Sequence, residues 1–169
     1  VFNTAEESLY QIKMTANRLK LRHPFAVGGE TNIPALLKGC DKVRKKHSDR
    51  PFFLIVDSLQ CMEDGHFNTG RITTATAERS LQQLTSYAKE NACNVIVIGQ
   101  VNKSGKMAGS QKLKHMVDSH IHLSIEEKDE DLKGCRLLHT RKNRFGGAGH
   151  IAILSLHKTG FNEVGTIEG

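Results

Sequence analysis

The sequence predicts an α/β protein in which helices flank a mostly parallel, twisted sheet. Residues 52–56 and 95–98 are continuous apolar runs, which are typical of strands covered on both faces in a parallel sheet. Amphipathic helical segments alternate with these runs and with two shorter strand segments. Such alternation is the pattern of a doubly wound sheet.

The first part of the chain is predicted to form strand, helix, strand and helix. Residues 1–4 resemble a strand end, and residues 6–21 carry apolar side chains near one helical face, at Leu9, Ile12, Ala16 and Leu19. A short strand follows at 25–28. Asn32 is placed to cap a second helix with Pro34 in its first turn. Basic side chains near its C-terminal end complement the helix dipole, at Lys42, Arg44, Lys45 and Lys46.

The middle of the chain continues the alternation of strands and helices, and a basic segment follows it. A strand at 52–57 is followed by the weakly patterned segment 61–73, a third helix at 74–91 and a strand at 95–100. Residues 101–115 contain four lysines, two glycines and no acid, which predicts a basic flexible loop.

The last part contains strand-like segments rather than helices, at 119–125, 135–140 and 151–157. The first two are joined by a charged turn at 126–133. Strands that follow an alternating region predict an antiparallel C-terminal extension at the edge of the parallel sheet. We expect residues 1–169 to form a single domain. Because the chain starts at Val1 and not at Met, we expect it to be an internal piece of a longer protein.

The composition and charge of the chain favour some classes of function over others. A net charge of +6 and a pI of about 9.2 suit nucleic-acid or nucleotide partners. No apolar run approaches the length of a membrane span. The cysteines are scattered without a Cys-x-x-Cys pair, so no zinc site or disulfide framework is indicated, and a reducing, cytoplasmic location fits best. His120 and His122 are better explained by one shared strand face than by a metal site.

Three polar side chains fall at or just after predicted strand ends, namely Glu6, Asp57 and Gln100. Ligands of doubly wound sheets bind at the carboxyl ends of the strands. An apolar strand that ends in Asp has the pattern of a Walker B segment, whose Asp holds Mg²⁺ through water. The alternatives are a turn cap for Asp57, a favourable first-turn acid for Glu6 and a plain strand-end amide for Gln100.

A basic run, Arg141-Lys142-Asn143-Arg144-Phe145-Gly146, has no acidic neighbour between Thr140 and His150. Its long cations can reach an anion such as phosphate. Phe145 would serve to anchor the loop. The alternative is a solvated basic hairpin end.

The phosphate-binding motif G-x-x-x-x-G-K-S/T does not occur in these residues. In the usual layout it lies on the strand and helix before the first Glu. Either the motif precedes Val1 in a longer protein, or the protein never had it. We expect this piece alone to bind ATP very poorly and to be inactive.

The chain resembles the bacterial RadA (Sms) family of RecA-like ATPases over nearly its whole length. Ala5-Glu6-Glu7-Ser8-Leu9 resembles the family's G-E-E-S-L segment, and Ile55-Val56-Asp57-Ser58-Leu59-Gln60 resembles V-I-D-S-I-Q. Gly99-Gln100-Val101-Asn102-Lys103 resembles G-H-V-T-K, and Lys142-Asn143-Arg144-Phe145-Gly146 matches the signature K-N-R-F-G without change.

The resemblance implies a RecA-like P-loop fold and a DNA-dependent ATPase that uses ATP and Mg²⁺. Such proteins act in recombination, repair and the stress response by driving branch migration as ring-shaped hexamers. The implied partners are single-stranded DNA, branched DNA, further copies of the chain and a RecA-type recombinase. No membrane partner is implied.

The resemblance also implies roles for the strand-end residues. Glu6 would activate water, Asp57 would serve magnesium through water, and Ser58 would lie in the nucleotide site. Gln100, which stands where the family commonly has His, would couple nucleotide state to the loop that follows it.

Two further groups of residues take roles by the same resemblance. Lys142 and Arg144 would reach the γ-phosphate bound by the neighbouring subunit, or couple that site to DNA. Residues 101–115 and 62–73 would be DNA-facing loops, with DNA contacts from Lys103, Lys106, Lys112, Lys114 and Arg71. The alternative is that the lysines belong to a solvated loop.

Two rival functions remain open. A degenerate RecA-like module would bind DNA or a protein without hydrolysis. A signalling ATPase of the KaiC type would lack the intact K-N-R-F-G run.

Overall fold

The computed structural model describes residues 1–66, 72–102, 104 and 110–169. Its elements follow one another in the order β1 (Phe2–Thr4), α1 (Leu9–Arg18), β2 (Val27–Gly28), α2 (Ile33–Lys46), β3 (Phe53–Asp57), a 3-10 turn (Leu59–Cys61), α3 (Thr74–Glu90), β4 (Asn94–Ile98), α4 (Ser110–Met116), β5 (Ser119–Ile125), β6 (Arg136–Asn143), β7 (Ile151–His157) and β8 (Gly160–Ile167).

Two compact units make up the chain. The first unit comprises Val1–Lys13 and His23–Met116, and the second comprises Met14–Arg22 and Val117–Gly169. That these residues belong to one domain stays a prediction. In the described part of the chain, no helix has the length and apolar character needed to cross a membrane.

The first unit contains a four-stranded parallel sheet in the order β2-β1-β3-β4. This confirms the predicted sheet. Thr4 on β1 lies opposite Asp57 on β3, and Asp57 lies opposite Ile98 on β4. The carboxyl ends of three neighbouring strands therefore lie side by side at one edge of the sheet.

One face of this sheet forms the core of the first unit. Leu54 and Val56 are fully buried, and apolar side chains of the flanking helices are buried as well, including Ile33, Leu36, Cys40, Leu81 and Leu84. On the opposite face, Phe53 and Ile96 are 50% and 49% exposed. The described residues therefore leave this face only half covered, whereas the continuous apolar runs predicted strands covered on both faces.

Local hydrogen bonds set where the helices begin. The Asn32 side chain accepts a hydrogen bond from the Ala35 N–H at 3.0 Å, which confirms the predicted cap of α2. Thr73 and Thr76 form a reciprocal capping box at the start of α3.

Helix α1 begins later than predicted. Ser8 Oγ accepts from the Gln11 N–H at 3.2 Å, and the Ser8 N–H donates to Gln11 Oε1 at 2.8 Å, so this reciprocal pair starts the helix at Leu9. Ile12 is buried, but Leu9 is 67% exposed. Leu9 therefore does not belong to the buried apolar face of α1, contrary to the prediction.

The second unit contains an antiparallel sheet in the order β5-β6-β7-β8. The predicted antiparallel extension is confirmed, but its four strands pair with one another in a sheet of their own. The strand β8 was not predicted. Its sequence contains two glycines and no regular apolar alternation, and Gly160 has a φ of +123° at the turn after β7.

Asn3 cross-links the first strand to the chain that follows β2. Its buried side chain donates from Nδ2 to the Glu30 carbonyl at 2.8 Å and accepts at Oδ1 from the Glu30 N–H at 3.0 Å. A Cβ on Gly28 would lie 2.8 Å from that Oδ1 atom, so glycine is required for the close approach.

Asn3→Ala is expected to lower the free energy of unfolding by about 2–4 kcal/mol, because the Glu30 backbone groups lose their partner and a cavity remains. Urea unfolding would measure the change. Asn17→Ala, on α1, is the control and should change stability by less than about 0.5 kcal/mol. Equal losses in the two variants would contradict the role of Asn3.

Candidate active site

Glu6, Asp57 and Gln100 meet at the carboxyl-end edge of the parallel sheet. Asp57 is the last residue of β3, while a single residue separates Glu6 from the end of β1 and Gln100 from the end of β4. The parallel register of the strands places all three segments next to one another. The structure therefore brings together the three polar residues predicted from the strand ends.

The Glu6 carboxylate is held by side chains from two other segments. Gln100 Nε2 lies 2.8 Å from both Glu6 Oε1 and Oε2 and donates to the carboxylate. Cys61 Sγ and Ser58 Oγ also donate to Oε1, at 3.2 and 3.4 Å. Contacts to both oxygens fix the direction in which the carboxylate faces.

Thr4 positions the backbone that carries Glu6. Its buried hydroxyl accepts from the N–H groups of Glu6 and Glu7 at 3.2 and 3.3 Å, while the Ala5 N–H donates to the Asp57 carbonyl at 3.3 Å. Sequence reasoning did not identify Thr4 as part of the site. A hydroxyl two residues before a strand-end acid is the signal that could have indicated this turn.

Asp57 lies in a partly buried, acidic environment. Burial raises the pKa of the Asp57 carboxyl, and the negative charges of Glu6 and Glu7 raise it further. Among the residues that the structure describes, no group of three or more His, Cys, Asp or Glu side chains could hold a metal ion. That Asp57 serves Mg²⁺ through water stays a prediction.

Ser58 is fully buried and its hydroxyl contacts Glu6 Oε1. The structure therefore places this predicted nucleotide-site residue against the acid, next to Asp57.

The predicted basic loop at 101–115 is partly helical. Residues 110–116 form α4, which corrects the expectation of a continuous flexible loop, because the run from Gln111 to Met116 contains good helix formers and one buried apolar anchor, Leu113. Lys112 is exposed but pairs with Glu78 on α3 at 2.6 Å, and Lys114 is partly buried. The predicted DNA contacts Lys103, Lys106 and Arg71 lie outside the described residues.

The segment after the 3-10 turn is attached to α3 by a buried acid. Asp64 accepts a hydrogen bond from the His66 N–H at 2.9 Å and pairs with the Arg79 guanidinium. Gln83 Nε2 donates to the Asp64 carbonyl at 2.8 Å. The start of the predicted second DNA-facing segment is thus held on a helix of the first unit.

The pKa of Asp64 predicts how this contact responds to pH. Burial alone would raise that pKa, but the His66 N–H and the Arg79 guanidinium outweigh it and leave the pKa below its ordinary value of 3.8. A carboxyl group whose pKa is lowered by folding stabilises the folded state at pH values above its ordinary pKa. That stabilisation is lost as the pH falls through the pKa of the folded state.

We therefore expect Asp64→Asn to lower the melting temperature at pH 7, and the difference from the wild type to shrink below about pH 4. Circular dichroism melts between about pH 7 and about pH 3 would measure it. Asp49→Asn is the control, because Asp49 and its partner Arg50 are both exposed. A difference that stays constant over this whole range would rule out the charge of Asp64 as its cause.

The second unit holds the basic run at the end of β6. Lys142 Nζ donates to the Val117 carbonyl at 2.7 Å, and Arg144 Nη1 lies 2.6 Å from Asp118 Oδ1. The Arg144 N–H also donates to the Asp118 carbonyl at 2.9 Å. Both predicted cations are therefore oriented by the two residues that precede β5.

Asp118 belongs to this constellation, although sequence reasoning left it out of the site. Ser119 pairs with Asn143, so the hairpin register brings Asp118 beside Arg144. No sequence pattern indicated this contact, because the register is visible only in the structure. Phe145 is 82% exposed, so its ring does not anchor the loop as expected.

Comparisons with known proteins find relatives in sequence and in fold. No family model matches the chain. The DNA repair proteins RadA of Haemophilus influenzae and Pseudomonas aeruginosa are each 30% identical over 165 residues, or 97% of this chain and 34% of each relative. RadA of Brucella abortus is 29% identical over the same extent. The chain thus spans about a third of the length of the curated relatives it matches.

Solved structures with a similar fold include an ATPase domain with a TM-score of 0.77 and 16% identity, matched over 95% of this chain and 73% of that chain. A DnaB-like replicative helicase has a TM-score of 0.75 and 14% identity over 95% of this chain and 49% of that chain. At these identities the likeness shows the fold alone. The chain is similar in sequence to RadA proteins over nearly its whole length, and its fold is RecA-like, with a parallel sheet flanked by helices.

Proposed function

We propose that this chain is the core of a DNA-dependent ATPase that acts in DNA recombination and repair. The observation that carries the proposal is the meeting of Glu6, Asp57 and Gln100 at one sheet edge, with the Gln100 amide on both oxygens of Glu6. The similarity in sequence to DNA repair proteins, and in fold to an ATPase domain and a DnaB-like replicative helicase, supports the same class.

Glu6 is the proposed general base. A carboxylate held in one orientation can take a proton from a water molecule that attacks the γ-phosphate. Gln100 donates to that carboxylate and begins the chain segment that leads into the basic residues after β4. A change at the phosphate can therefore reach that segment through the Gln100 side chain.

Asp57 is the proposed contact to Mg²⁺ through water, with Ser58 beside it in the nucleotide site. The bound ion would neutralise negative charge on the β- and γ-phosphates. Burial and then the neighbouring acids Glu6 and Glu7 raise the pKa of Asp57, and a bound cation would offset the repulsion between these acids.

DNA is the proposed polyanionic partner. The chain carries a net charge of +6, and the proposed contacts are the predicted DNA-facing residues Lys103, Lys106, Lys112, Lys114 and Arg71. Phosphate contacts made by such residues release counterions, so binding should weaken steeply as salt rises. Lys112 must exchange its contact with Glu78 for one with DNA.

Assembly into a hexameric ring is part of the proposal. Lys142 and Arg144 would act on the nucleotide of the neighbouring subunit, and the exposed ring of Phe145 suits a subunit contact. Such a ring would drive branch migration on single-stranded and branched DNA, together with a RecA-type recombinase. The four cysteines are all free thiols, which fits a cytoplasmic protein.

ATP hydrolysis by the full-length protein tests the proposal. The full-length protein is needed because the phosphate-binding motif is not among these residues. We expect hydrolysis that requires Mg²⁺ and rises with single-stranded DNA. DNA binding without hydrolysis would overturn the proposal and leave a degenerate DNA-binding module. Hydrolysis at the same rate with and without DNA would instead indicate an ATPase that does not depend on DNA.

A further inference from the structure

Gln60 binds the backbone of Gln100 at two points. Gln60 lies on the 3-10 turn that follows Asp57, and Gln100 follows β4. Gln60 Nε2 donates to the Gln100 carbonyl at 3.0 Å, and Gln60 Oε1 accepts from the Gln100 N–H at 3.1 Å. One planar amide therefore satisfies both backbone groups of one residue, 40 positions away in the sequence.

The backbone that Gln60 holds carries the side chain that contacts Glu6. Gln100 Nε2 lies 2.8 Å from both Glu6 oxygens. A hydrogen-bonded path therefore runs from the Gln60 side chain through the Gln100 backbone and side chain to the Glu6 carboxylate. The 3-10 turn adds a second link to the same carboxylate, because Cys61 Sγ donates to Glu6 Oε1 at 3.2 Å.

Gln100 lies on an exposed stretch that follows the last strand of the parallel sheet. Gln100 and Val101 are both exposed, so packing does little to hold this backbone in place. The Gln100 amide can stay on the Glu6 carboxylate only if the Cα atom of Gln100 is also held in place. The two bonds from Gln60 supply that restraint.

We propose that Gln60 is a positioning residue that holds the Gln100 backbone so that the Gln100 amide addresses Glu6. Gln60 thereby also ties the turn after Asp57 to the start of the basic segment after β4. This inference rests on the proposed ATPase function. It adds a residue that acts on Glu6 only through Gln100.

The loss of Gln60 should act on turnover rather than on nucleotide binding. Misplacing a group that orients the general base should lower kcat by about 10- to 100-fold. The KM for ATP should change by less than about twofold, because both hydrogen bonds of the Gln60 amide go to the Gln100 backbone rather than to Asp57 or Ser58. A merely structural cross-link would instead lower the melting temperature and leave kcat per folded molecule unchanged.

Gln60→Met tests the inference in the full-length protein, because methionine keeps the length and volume of the side chain but removes both hydrogen bonds. The measurements are kcat and KM for ATP with single-stranded DNA, the melting temperature, and amide hydrogen exchange of a peptide that spans Gln100. The expected result is a lower kcat, an unchanged melting temperature and faster exchange at Gln100. Gln82→Ala, at an exposed position on α3, is the control and should match the wild type.

A double-mutant comparison shows whether Gln60 acts through the Gln100 side chain. If it does, Gln60→Met combined with Gln100→Ala should be no slower than Gln100→Ala alone, because no amide remains to be positioned. Effects that multiply in the double variant would overturn the inference, as would a Gln60→Met kcat equal to that of the wild type. A wild-type protein without hydrolysis would overturn the proposed function as well, so the two failures are distinguishable.

Discussion

Arg144→Ala is expected to lower the DNA-stimulated kcat of the full-length protein by about 10³-fold or more. A cation that reaches the transferring phosphoryl group from a neighbouring subunit stabilises the charge of the transition state, and such arginines contribute about 10³ to 10⁵ in rate. Arg144 is half exposed and its guanidinium is already held by Asp118. The side chain is therefore oriented, yet open to a partner.

Steady-state ATP hydrolysis with saturating single-stranded DNA would measure this loss. Arg136→Ala is the matched control, because Arg136 lies at the opposite end of β6 and donates to the Gly134 carbonyl. Its kcat should stay within about twofold of the wild type. A loss of similar size in both variants would show that Arg136 and Arg144 support the fold rather than the reaction.

Glu6→Gln is expected to lower kcat by about 10²- to 10⁴-fold, which is the range for a lost general base. Glutamine keeps the shape of the side chain and one acceptor oxygen, so the contacts that Oε1 accepts can be retained, while the base and the bond from Gln100 to the second oxygen are lost. Nucleotide affinity should change little, since the variant removes a group that acts in the transition state.

The adjacent acid is the control for Glu6. Glu7 also raises the pKa of Asp57, but its side chain is not the one that Gln100 holds. Glu7→Gln should therefore retain most of the wild-type kcat, as measured under the same conditions. An equal loss of kcat in Glu7→Gln would show that both residues act only through their negative charge.

Mixing the two inactive variants tests whether Glu6 and Arg144 act in one site built by two subunits. In the proposed ring, a mixture of the two variants would contain some sites with an intact Glu6 and an intact Arg144 from the neighbour. Activity should therefore reappear in the mixture, with a yield set by the proportion of such pairs. A mixture as inactive as either variant alone would show that the two residues act within one chain.

The sequence by itself determined the elements of the parallel sheet and the residues at its carboxyl edge. Continuous apolar runs predicted β3 and β4, and the polar residues at their ends lie where parallel strands bring them together. The Asn32 cap and the helices that follow from apolar spacing were also predictable. These features depend on local periodicity and capping, which sequence records directly.

Other features depended on contacts between distant residues. The bonds from Gln100 to Glu6 span 94 positions, and those from Gln60 to Gln100 span 40. The Arg144 pair with Asp118 follows from the register of one hairpin. The tertiary structure alone decided these contacts, because no local pattern encodes which side chains meet across strands. It also decided that four C-terminal strands form their own sheet, since strand pairing is set by register and backbone hydrogen bonding rather than by composition.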